Sequence, residues 1–177
     1  MSAAARVTPV ATEAALVATL ATTFGAALGF ALSSPRTGIE PATASTFLWL
    51  FFGLFLLRVS GQMLVLRRAP RWLPPMGQWN LLPYRFLLPT QIALLVLMAW
   101  IGSDLSRGAG VFADPVPASG SALVWLSYVY AGVMAVRYAV RMRRRPDQRW
   151  AGGAIPIVFH FVLAAFVFTF GTYHASH

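Results

Sequence analysis

The 177-residue chain contains no cysteine and no lysine: all 14 of its basic residues are arginine, and its acids number five. Without cysteine there is no disulfide, no thiolate metal ligand and no thiol nucleophile. Without lysine there is no Schiff base and no phosphate-loop lysine. Charged residues make up 11% of the chain, against about 25% in an ordinary soluble domain. What is present is apolar: 58% hydrophobic residues and a mean hydropathy of +0.65. This composition specifies an integral membrane protein.

A helix that crosses about 30 Å of hydrocarbon needs roughly 20 mainly apolar residues. Five stretches meet that requirement, approximately Thr12–Leu32, Thr46–Leu66, Phe86–Gly102, Ala122–Met142 and Ala154–Tyr173. Short segments rich in proline and glycine separate them, among them Pro74, Pro75, Pro83, Pro115 and Pro117. The expected fold is therefore all-α, a single membrane domain over 1–177 built as a bundle of five transmembrane helices.

Arginine placement orients the bundle. Arg67, Arg68, Arg71 and Arg85 fill the second loop, and Arg141, Arg143, Arg144, Arg145 and Arg149 fill the fourth. The first and third loops hold Arg36 and Arg107 beside Glu40, Asp104 and Asp114. The positive-inside rule makes the second and fourth loops cytoplasmic, with the N-terminus inside and His177 outside. The expected location is a bacterial inner membrane, crossed several times. Most of the formal charge of +9 is thus a topology signal, and the run Arg143, Arg144, Arg145 is explained by contact with anionic lipid headgroups. No nucleic-acid partner is expected.

Two alternatives concern the first span. Residues 1–34 also read as a secretory signal, although the apolar run Ala14–Leu32 is longer than an ordinary signal core. As a retained helix it carries Ala21, Gly25 and Gly29 at four-residue spacing, a ridge of small residues suited to close helix packing. There is also an internal echo. Arg58 precedes Arg67, Arg68, Pro70 and Trp72, as Arg137 precedes Arg143, Arg144, Pro146 and Trp150, which raises a parallel duplication of two helix pairs as one reading.

Polar residues inside the spans need a reason, because a charge at mid-bilayer costs from about 2.5 to more than 10 kcal/mol. Arg58 lies within the second span, with Gln62 one turn further along the same face. Gln91, Tyr130, Arg137 and His160 fall at similar depth on the other helices. If the bundle joins these faces, they form an inner-leaflet polar layer. A pair between Glu13 and Arg58 would be a structural explanation; without it, the layer would receive an anionic group. From Arg71 to Arg85 the loop interleaves Trp72, Trp79 and Tyr84 with prolines, the pattern of an interfacial segment (71–85) at headgroup level.

His160 and His174 are 14 positions apart, a spacing that resembles the paired haem ligands of b-type cytochromes. A bis-histidine haem b would need a second histidine from a partner, so no cofactor is expected. His174 and His177 beside Asp104 or Asp114 make a weak metal pattern, and no metal is expected either. No catalytic motif is present. The sequence favours a non-enzymatic ligand- or lipid-binding protein, or a subunit of a larger membrane complex. Anionic membrane lipids and a homo-oligomer or partner membrane subunits are its expected contacts. A haem- or quinone-associated redox subunit, and a small enzyme or transporter acting on an amphiphile, are the alternatives.

Overall fold

The computed structural model describes Thr22, Thr23, Gly25 and residues 39–68, 84–144 and 154–176. The described residues are almost entirely helical and contain four helices long and apolar enough to cross a membrane. They are α1 (Pro41–Arg68), α2 (Tyr84–Arg107), α3 (Pro117–Arg144) and α4 (Ala154–Ala175). Thr22, Thr23 and Gly25 are helical as well and fall inside the first expected span.

Each helix outlasts the apolar stretch that announces it. α1 begins five residues before Thr46, and α3 five before Ala122. The hydropathy pattern marks only the part that faces hydrocarbon, whereas local signals set the ends. Pro41 and Pro117 occupy the first helical position, where a missing N–H is harmless. The Glu40 and Val116 carbonyls accept the first helical bonds, from Ala44 and Gly120 at 3.1 and 2.9 Å. At its other end α2 stops in a Schellman turn. Gly108 adopts φ +60°, its N–H reaches the Leu105 carbonyl, and the Ala109 N–H reaches the Asp104 carbonyl. Tyr84 and Arg85 belong to the first turn of α2 rather than to the end of an interfacial loop; Trp72, Trp79 and the rest of that loop lie outside the described residues.

The helices form a row in the order α2, α1, α4, α3, with neighbours antiparallel. The α1/α2 seam is fastened by polar pairs near both ends. Ser45 and Ser106 share a hydrogen bond at 2.6 Å and Trp49 Nε1 donates to Ser106 at 2.9 Å, while further along Gln91 donates to Gln62 at 3.1 Å. Aromatic and aliphatic side chains of α1 and α4 fill the centre, among them Leu48, Phe51, Phe55, Val162 and Phe166. The centre of the described bundle is therefore α1 against α4.

Small residues bring two backbones together at a place the sequence did not mark, while Ala21 and Gly29 of the expected ridge lie outside the described residues. Of the ridge Ala21, Gly25 and Gly29, the described member is exposed: a Cβ on Gly25 would meet nothing within 4 Å, and the neighbouring Thr23 is the buried residue. The close approach joins α3 to α4. A Cβ on Gly120 would lie 2.3 Å from Ala175 N, and one on Gly171 would lie 2.8 Å from Val124 N. The outward face of α3 is apolar and open, with Trp125 71% and Val136 63% exposed. Such a face is stable only against lipid or other apolar surface.

Candidate functional site

The helix termini divide the protein into two ends of opposite character. Glu40, Asp104 and Asp114 lie at one end; Arg67, Arg68, Arg141, Arg143 and Arg144 lie at the other. At the acidic end the polar groups are consumed by structure. Asp104 is 1% exposed, and its carboxylate accepts from Arg107 Nη2 at 2.8 Å and from the Phe112 N–H at 3.3 Å. Tyr173 donates to the Ala113 carbonyl at 2.6 Å, and the Val116 N–H donates to His174 Nδ1 at 3.0 Å. These bonds tie the connection between α2 and α3 onto the last turn of α4.

The arginine-rich half carries a different layer. Arg58, ten residues or about 15 Å from the end of α1, is 7% exposed. Its guanidinium carbon lies over the Phe55 ring at 5.9 Å and over the Phe159 ring at 5.5 Å. Arg58 Nε has no hydrogen-bond partner among the described residues. Every described carboxylate is at the far end: Glu40 alone is 18 residues, about 27 Å, away along the same helix. Cation–π contact supplies about 2 kcal/mol when desolvated. That is less than most figures for the cost of a charge at this depth. The Arg58 cation is therefore only partly compensated by what surrounds it.

The sequence-expected companions do assemble, in two groups. Gln62 and Gln91, 1% and 3% exposed, pair across α1 and α2 as described, and Gln91 Oε1 is left without a partner among the described residues. Tyr130 Oη and His160 Nδ1 hydrogen-bond across α3 and α4, with their rings edge to face. Arg58 stands between the groups, since Gln62 is one turn away on its face and the Phe159 ring beneath its guanidinium adjoins His160. Arg137 is the outlier: its side chain is exposed on α3. Arg143 and Arg144 are exposed at the helix end, while Glu13 and Arg145 lie outside the described residues.

Phe55 and Phe159 escaped the sequence reading, although each had a signal. Phe55 stands three residues before Arg58, on the same helical face, and Phe159 adjoins His160. The fit to haem is poor at one histidine. Val116 can only donate, so His174 Nδ1 must accept, and the proton of the neutral ring then sits on Nε2, the nitrogen an iron would need. Among the described residues no three His, Asp or Glu side chains converge. In comparisons with protein-family models, with curated proteins and with solved structures, nothing matches this chain.

Proposed function

We propose that this is a five-span, non-enzymatic protein of a bacterial inner membrane that holds an anionic amphiphile at its inner-half polar layer, alone or as a subunit of a larger assembly. In this reading the N-terminus and the arginine-rich helix ends face the cytoplasm, as the positive-inside rule requires. The observation that carries the proposal is Arg58: a buried guanidinium over two aromatic rings, whose buried Nε–H has no partner among the described residues and which has no described carboxylate on its half of the molecule. A guanidinium in that setting gains more from a bound anion than an exposed one, because a charge-assisted bond strengthens as the local dielectric falls. Gln62, Gln91, Tyr130 and His160 supply neutral donors and acceptors around it, and Arg137 adds positive charge at the rim. Arg143, Arg144 and Arg145, with Trp72, Trp79 and Tyr84, would hold the surrounding anionic headgroups.

Native mass spectrometry of protein released from its own membrane tests the proposal. The parent chain should retain an anionic adduct that Arg58→Gln loses, with the remaining lipid pattern unchanged. Equal retention by both would remove the argument from Arg58.

A further inference from the structure

The proposed site leaves open which kind of anion reaches Arg58, and three features of its surroundings narrow the choice. The first is charge. Arg58 is the one buried cation among the described residues, and Arg137, the nearest second cation to the layer, is exposed. One buried cation balances one negative charge.

The second feature is shape. The guanidinium carbon sits over the Phe55 and Phe159 rings, so its π surface is engaged by aromatic side chains. The edge of the guanidinium is what remains for an anion, and there the buried Nε–H has no partner among the described residues. A carboxylate is itself planar and presents two oxygens at the spacing of the Nε–H and Nη–H pair. A tetrahedral phosphodiester is thicker and fits poorly beside two rings.

Depth is the third feature. Arg58 lies about 15 Å along α1 from Arg68, close to half the thickness of the hydrocarbon layer. A phospholipid phosphate is tied to glycerol at the interface, and bringing it to Arg58 would drag two polar ester linkages into the hydrocarbon. A free carboxylate on an apolar chain brings a single polar group. Next to Arg58 the helix surface is apolar toward the bilayer, where Leu57 is 67% exposed at the preceding position.

We infer that the Arg58 site takes a free carboxylate on an apolar chain, a fatty-acid-like monoanion, in preference to a phospholipid headgroup. The inference rests on the proposed anion-binding reading and names the ligand class for that same site. Neutral-detergent micelles containing the full chain, with radiolabelled oleate and phosphatidylglycerol as probes, test it by equilibrium dialysis. One oleate per chain should bind, Arg58→Gln should weaken it by about tenfold or more, and excess phosphatidylglycerol should not displace it. Arg58→Lys keeps the charge without the planar edge, so it should bind oleate between the two. It also reports on the site if the glutamine variant fails to fold. Arg58-dependent binding of phosphatidylglycerol, or its displacement of oleate, would overturn the carboxylate assignment and leave the anion site standing. Binding of neither probe in an Arg58-dependent way would overturn both.

Discussion

Two buried charges in this protein have opposite circumstances. Asp104 is shielded from solvent and fully answered by Arg107, the Phe112 N–H and the tight turn at Gly110. A Cβ at Gly110, where φ is +125°, would sit 2.3 Å from the Asp104 carboxyl carbon, so only glycine admits the carboxylate there. Replacing Asp104 by alanine should cost about 2 to 4 kcal/mol, because it strips a backbone donor and a guanidinium of their acceptor. Thermal unfolding in detergent measures it, and a loss below about 0.5 kcal/mol would show the turn to be self-supporting. Among the described residues Arg58 has no comparable set of partners. Its presence in a span, and the company of Gln62, Gln91, Tyr130 and His160, were legible in the sequence because polar residues in an apolar run stand out. Asp104 was not recognised as a turn residue, since a lone acid near a helix end reads equally as an exposed cap.

Among the helices, the α3/α4 seam depends on glycine in a way the other seams do not. Gly171→Leu should separate α3 from α4 and destabilise the protein by more than about 3 kcal/mol, since backbone atoms, not flexible side chains, occupy the space. Gly53→Ala and Gly132→Ala meet nothing within 4 Å and should shift the melting temperature by little. Melting curves of the three variants in one detergent would check the contrast; similar shifts for all would mean that the seam yields. The sequence located these helices well because hydrophobic length is a strong signal. It did not mark Gly120 and Gly171, because spacing of small residues identifies which faces permit an approach, and only packing decides which approach is made. The exposed Gly25 and the buried Gly120 and Gly171 illustrate the difference.

For the whole molecule, the row α2, α1, α4, α3 leaves wide apolar faces outward and collects arginine at one end. The membrane class follows from both, and neither says what the protein does, because composition reports the solvent and not the ligand. Orientation has a direct test that the composition favours, since a chain without cysteine accepts single cysteines as unique labels. In intact cells a membrane-impermeant maleimide should label Asp114→Cys, whereas Arg143→Cys should react only after permeabilisation. The reverse pattern would invert the topology. The account centres on Arg58 as a cation with no carboxylate beside it among the described residues, and unfolding free energy in ligand-free detergent measures this most directly for Arg58→Met. A buried cation with no carboxylate beside it should cost more to bury than a methionine of similar length, so the variant should be as stable as the parent or more stable, by about 1 to 4 kcal/mol. A loss of about 3 to 5 kcal/mol would reveal a carboxylate stranded by the substitution, as a pair with Glu13 would be, and would contradict the account.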